Sequence, residues 1–332
     1  MQRRLIVKTV VVALALGPFV PAAVQGQTNA TSAAAPAPRT PWGKPDLQGV
    51  WDFRSLTPME RPKELGTKQT FTAAEATQFE EEATRRQSRD QEDPKKAAAT
   101  GRVVPYNDFW FDFGTKVSSD RTSLIVDPPD GQIPPLTPQA EARRAARAAA
   151  RKGVGADEIS PGGWIEELSP PVRCLVGFNA GPPMSPSAYN NNMEIIQTPD
   201  HVVIFMEMIH HARVVPLDGR PHLPQQMRQW MGSSRGRWEG DTLVVETTNR
   251  RDDSFQGAGR DLKLTERFTL RNRGVLEYRA TLDDPQTWTK PWTFMVPMAK
   301  SNESIYEYAC HEANYYMENM LKGMRAQETQ GK

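Results

Sequence analysis

The chain has 332 residues and is nearly neutral, with 41 lysines and arginines against 40 aspartates and glutamates. That balance argues against a protein that binds nucleic acid through phosphate charge. Two cysteines and five histidines, with no CxxC or Cys/His ligand spacing, argue against a structural zinc site, a haem attachment or an iron–sulfur centre.

The N-terminus reads "MQRRLIVKTVVVALALGPFVPAAVQGQ". Arg3, Arg4 and Lys8 form a basic n-region. Thr9 to Val24 is a short apolar run that Gly and Pro interrupt. Val24 and Gly26 are small enough for the −3 and −1 positions before a cleavage at Gln27. Residues 1–26 are therefore expected to be a secretory signal peptide, with an uncleaved anchor as the alternative; cleavage implies a periplasmic or secreted protein with no stable membrane span. "RRLIVK" also resembles a twin-arginine signal, but the strongly apolar h-region favours ordinary Sec export. The mature chain would carry 38 basic and 40 acidic side chains. Residues 27–45 are small and Pro-rich and read as a flexible tether. About 290 residues remain, enough for one large domain or a domain with an extension. Cys174 and Cys310 either pair, tying the middle of the chain to its C-terminal end, or stay as two buried thiols.

Residues 46–189 read as a first strand followed by a helical and loop insertion. "DLQGVWDF", Asp46 to Phe53, is strand-like. Thr72 with Glu75 makes a capping box for a helix near 72–90. "RTSLIVDPPDGQIPPL" suggests a strand and then proline turns. Thr137-Pro138 starts an Ala/Arg-rich helix that ends before Gly153. Both helices have few large apolar residues, so they are expected to lie on the surface of something else. Trp164 to Tyr189 is loop-like.

Residues 190–325 read as a β-domain with a C-terminal closing segment. "MEIIQTP", "HVVIFMEMI", "ARVVPL", "RGRWEG", "DTLVVETT", "LKLTERFTLRN", "VLEYRATL" and "WTFMVPM" are strand signals separated by turn signals. Eight short strands with close turns predict a mainly β protein, an up-and-down antiparallel β-barrel with room for side chains or one small ligand. Gly49-Val50-Trp51 resembles the G-x-W on the first strand of lipocalin-like barrels. The expected architecture is a lipocalin-like barrel of about eight strands with a partly helical N-terminal insertion. An open β-sandwich is the alternative.

Several stretches together resemble a family of secreted, largely uncharacterised proteins of soil bacteria: "PWGKPDLQGVWDF", "RTSLIVDPPDGQIPPLTP", "NNNMEIIQTPDHVVI", "RQWMGSSRGRWEGDTLVVETTN" and "IYEYACHEANY". The likeness spans nearly the whole mature chain. It implies export and carries no activity over. In that family's pattern aspartate follows His210 where this chain has His211, so the resemblance assigns His211 no special role.

All five histidines fall between positions 201 and 311, three of them in "MEMIHHARVVPLDGRPH", Met206 to His222. On a continuous strand Glu207 and His211 share a face with Val203 and Phe205, and His210 takes the other face. Only a bulge would bring all three round one metal, so no metal is assigned. Glu207 with His211 is a candidate acid–base pair. In "YEYACHEANYY" a helix would make His311 and Tyr315 neighbours, and a strand would align Tyr306, Tyr308, Cys310 and Glu312. "YNNN" is either a turn or a polar wall for a ligand, which makes Asn190, Asn191 and Asn192 candidates. Arg237 either binds an anion or forms surface ion pairs. The candidate catalytic residues are thus His210, His211, Glu207 and His311. The candidate substrate-binding residues are Asn190, Asn191, Asn192, Arg213, His222, Arg237, Tyr308 and Glu312.

No nucleophile elbow, HExxH, P-loop or GxGxxG occurs. The expected function is a secreted, cofactor-independent lyase, hydratase or isomerase that moves protons on a small molecule with histidines in a barrel pocket. The alternatives are a carrier barrel for an apolar or aromatic ligand and a structural envelope protein whose pocket is filled by its own side chains.

Overall fold

The computed structural model describes residues 37–88, 95, 108–151, 153–155, 158–251 and 255–330. The expected signal peptide lies outside the described residues, as does the tether up to residue 36. Ten strands form among the described residues: β1 (Gly49–Asp52), β2 (Ile125–Asp127), β3 (Asn192–Gln197), β4 (His201–Met206), β5 (Ala212–Pro216), β6 (Ser233–Glu239), β7 (Thr242–Thr248), β8 (Lys263–Asn272), β9 (Val275–Asp283) and β10 (Trp292–Ser301). Each of the eight strand signals after residue 190 becomes a strand. Three α-helices accompany them among the described residues: α1 (Ala73–Gln87), α2 (Pro138–Arg151) and α3 (Tyr316–Thr329).

All strands join one antiparallel sheet in the order β5-β4-β3-β1-β10-β9-β8-β7-β6, with β2 continuing β1's place along β10. Alternation decides the inner face. Leu264, Glu266, Phe268 and Leu270 of β8 are buried, as are Leu276, Tyr278, Ala280 and Leu282 of β9. The sheet curls until its edge strands face each other. A Cβ on Gly236 of β6 would lie 2.6 Å from Leu217 and 2.8 Å from Val215 of β5, so a larger residue here would have to push those side chains back. Arg213 of β5 likewise crosses the interior to reach Glu266 of β8.

The sheet is not closed into a barrel. No ladder joins β5 to β6 among the described residues. The segment after β5 fills that gap with side-chain bonds. Arg235 Nε donates to the Pro221 carbonyl at 2.9 Å, and His222 Nδ1 lies 2.9 Å from the Ser233 carbonyl. The lipocalin-like barrel of about eight strands is therefore corrected to a curled, open ten-stranded sheet. Nor does the interior resemble a lumen. Trp51, Phe268, Tyr278, Trp292 and Phe294 are all essentially inaccessible, and Phe268 meets Tyr278 at 5.1 Å between centroids.

The G-x-W glycine has a physical reason. Gly49 has φ 104°, and a Cβ there would strike the Lys300 ammonium, which sits 4.5 Å from the Trp51 ring. Trp51 Nε1 donates to the Leu47 carbonyl at 2.8 Å.

The capping box at α1 forms as expected. Glu75 N donates to Thr72 Oγ1 at 3.4 Å, and Thr72 N donates to Glu75 Oε2 at 2.8 Å. Only Glu80 and Ala83 of α1 and Ala140 of α2 are buried, so both helices lie on the surface. Residues 37–45, read as the end of the tether, form a turn docked on the sheet, with Arg39 on Asp241 at 2.8 Å. Residues 36–332 form one compact unit. No helix among the described residues is long and apolar enough to cross a membrane.

Candidate functional site

Register places the starts of β3, β5, β6, β8 and β10 at one end of the sheet, with the ends of β1, β4, β7 and β9. The insertion, which leaves from β1 and returns at β3, covers this end. The opposite end carries the tight turns, including Gly240-Asp241 and Arg273-Gly274.

Glu207 lies at the covered end. The strand reading that aligned it with His211 is corrected. β4 stops at Met206, and Met208–His210 is a short 3-10 turn in which buried Ile209 adopts φ 58°. That conformation is an outlier for a β-branched residue, so no pattern in the sequence signals it. The turn reverses the chain, pairs Phe205 with Ala212, and removes the shared face. Glu207 instead meets the asparagines. Asn192 Nδ2 donates to Glu207 Oε2 at 3.0 Å, and the Asn190 side chain also acts to lower the carboxylate's pKa. Burial pushes the Glu207 pKa above the usual carboxylate range, and the amides only partly oppose it.

That shift has a stability sign. A carboxyl whose native pKa is raised favours the neutral form, so its contribution is full below the unfolded value. It is lost as pH rises through the native pKa. Glu207→Gln keeps the shape and removes the charge. It is expected to raise the melting temperature at pH 7 and to leave it unchanged at pH 4. A variant that is destabilised equally at both pH values would show that the carboxylate is needed as an acceptor.

The other residues singled out by sequence scatter. His201 sits at the far end of β4, 3.2 Å from Asp200. The His210 side chain lies outside the described residues. His222 is held at Ser233, and burial keeps its pKa below the ordinary imidazole value. His311 and Glu312 are exposed on the segment after β10. Tyr308 stacks on Tyr189 at 6.2 Å. Arg237 pairs with Glu239 at 2.7 Å and Glu246 at 3.1 Å on the outer face. Asn191 is buried and structural: its amide donates to the carbonyls of Asp112 and Ser187, each at 2.9 Å. No three His, Cys, Asp or Glu side chains cluster in a metal-binding arrangement among the described residues.

Arg213 belongs to a constellation inside the sheet. Its guanidinium donates twice to Glu266, at 2.5 and 3.0 Å. Tyr278 Oη donates to Glu266 Oε1 at 2.9 Å and accepts from Met184 N at 3.1 Å. Burial opposes the Arg213 charge, but the Glu266 carboxylate outweighs it and raises the pKa. Burial pushes the Tyr278 phenol well above its ordinary value.

Arg250 completes this group, and sequence reasoning missed it. β7 ends at Thr248, and Asn249 turns the chain with φ 56°, a conformation asparagine tolerates. Arg250 is 5 % exposed. One Nη donates to the Pro182 carbonyl, and Nε has no partner among the described residues. Burial lowers its pKa to about 10, so the side chain stays charged at neutral pH. Arg213 and Arg250 against Glu266 leave one buried positive charge without a counter-charge. Such a charge costs several kcal/mol unless something pairs with it.

Arg250 lines a cavity of about 370 Å³. Phe178 and Phe255 form aromatic walls, and Ser185 and Gln256 add polar groups. Phe255 stacks against Phe294 at 5.9 Å, which joins this wall to the core. The geometry can take an anion on a guanidinium, with an apolar body against the aromatic lining.

No family model matches the chain, and no curated protein is significantly similar to it.

Proposed function

We propose that this protein binds a small organic anion, a carboxylate on an aromatic or apolar body, in the cavity at Arg250. The observation that carries this reading is a buried, charged Arg250, its Nε without a partner among the described residues, that lines a cavity together with Phe178 and Phe255. A carboxylate there would complete the charge balance of the Arg213–Glu266–Arg250 group. We further propose that the chain is exported, in keeping with its resemblance to secreted proteins. The Cys174–Cys310 disulfide supports an oxidising compartment.

Calorimetric titration with benzoate and its neutral isostere benzamide tests the binding. Benzoate is expected to bind the wild type and benzamide is not. Arg250→Met is expected to weaken benzoate by tenfold or more, since a charge-assisted hydrogen bond contributes about 1.5–3 kcal/mol. Equal binding of the two probes, or unchanged benzoate affinity in Arg250→Met, would overturn the reading.

A second reading, a cofactor-independent lyase, hydratase or isomerase, is favoured by Glu207 alone. A buried carboxyl with a raised pKa suits proton transfer near neutral pH. On that reading Glu207→Gln abolishes turnover of a bound acid while leaving its Kd unchanged.

A further inference from the structure

We infer that the natural ligand is a diacid whose second anionic group lies in a separate arginine-rich cleft, on Arg251 and Arg173. The inference rests on the binding reading above and extends it to a class of ligand.

The cleft measures about 1020 Å³ and lies between α2, the loop before Cys174, the segment before β6 and the segment between β7 and β8. Six arginines line it: Arg147, Arg151, Arg173, Arg228, Arg251 and Arg260. Arg151 pairs with Glu167 at 3.1 Å and Arg228 with Asp261 at 3.2 Å. Arg251 and Arg173 have no acidic partner among the described residues. Instead they lie over Trp230, at 4.4 Å and 5.9 Å from its ring. The hydrogen bond from Arg173 to the Glu166 carbonyl is 3.5 Å long, at the weak limit. Two guanidiniums are thus positioned by an aromatic ring and remain available to a carboxylate. Apolar wall is present too, from Ala148, Val154 and Leu168. This mixture suits an organic anion better than a fully polar polymer.

The cleft and the inner cavity abut. Pro170 lines both. Arg250 and Arg251 are consecutive, and each lines a different one. The reason is local. Gln229 bridges this stretch, Arg251 N donating to its carbonyl at 3.0 Å, so the backbone is extended and the two side chains leave on opposite sides. Arg228 locks the corner by donating to the Arg250 carbonyl at 3.1 Å. A molecule with one carboxylate on Arg250 and its body running past Pro170 would place a second anionic group in the cleft.

The test compares biphenyl-4,4′-dicarboxylate with biphenyl-4-carboxylate, which differ only in the second anionic group. The diacid is expected to bind the wild type at least tenfold more tightly. Arg251→Gln, alone and with Arg173→Gln, is expected to erase that preference and leave the monoacid affinity unchanged. Melting temperatures of both variants near the wild-type value confirm folding. Equal wild-type affinity for the two acids, with the monoacid still dependent on Arg250, overturns the diacid and leaves the inner site standing. A diacid preference that survives the double substitution overturns the role of the cleft. Failure of both acids to bind the wild type overturns both readings together.

Discussion

Glu266→Gln is expected to destabilise the protein by about 3–5 kcal/mol, the range for breaking a buried ion pair by removing one partner. The carboxylate is fully buried and faces Arg213, with Arg250 as a second nearby charge. Gln keeps the volume and still offers Tyr278 an acceptor, so packing is nearly unchanged. What changes is charge. The wild-type group carries two positive charges and one negative. Glu266→Gln leaves two positives without any counter-charge. Arg213→Met leaves Arg250 facing Glu266, which is neutral. Chemical denaturation should therefore rank Glu266→Gln as the more damaging change, although Arg213→Met removes two hydrogen bonds. The combination of both substitutions returns the group to a single positive charge and should recover part of the loss. If Glu266→Gln lies within 1 kcal/mol of wild type, water reaches the pair and the buried-charge argument for Arg250 weakens with it.

Part of this was legible beforehand. Parity along "LKLTERFTL" puts Glu266 in a row with Leu264, Phe268 and Leu270, and parity along "VLEYRATL" puts Tyr278 with Leu276 and Ala280. A glutamate in an apolar row is a buried-charge signal, and Arg213 beside Val215 is its match. Strands after residue 190 were readable because alternation and turn dipeptides agree locally. Closure was not, because it depends on how Leu217 to Leu223 fill the gap between β5 and β6, a long-range fact with no local pattern. The hairpin at Glu207 was misread because isoleucine gives no hint of a left-handed turn. Of the residues proposed for chemistry, Glu207, Asn190 and Asn192 do assemble, whereas His222 and His311 lie on separate elements. Arg250 and Arg251 carried no signal at all. They come to line the two cavities only because Asn249 ends a strand there and the chain turns.

The other large effect belongs to the disulfide. Cys174 and Cys310 bond with their Cα atoms 5.8 Å apart, across 136 residues. Closing so long a loop restrains the unfolded chain, which on the chain-entropy account stabilises the fold by about 5 kcal/mol, with about 2–5 kcal/mol the usual loss on removing a native bridge. The bond also has a local role. Cys174 sits between Arg173 of the cleft and Val176 and Phe178 of the inner cavity. α3 braces the same loop, with Arg325 donating to the Gly163 carbonyl at 2.6 Å and Gly162 N donating to Glu328 at 2.6 Å. The double variant Cys174→Ala/Cys310→Ala should therefore lower the denaturation midpoint and increase hydrogen exchange over residues 160–178 before the sheet itself opens. Each single substitution should cost about as much as the pair, since either one breaks the same bond. A double variant as stable as wild type, with unchanged exchange in that loop, would mean that α3 alone holds the cavity wall. If the loop does loosen, anion affinity should fall in the same variant with Arg250 untouched, because the aromatic wall at Phe178 moves while the charge stays in place.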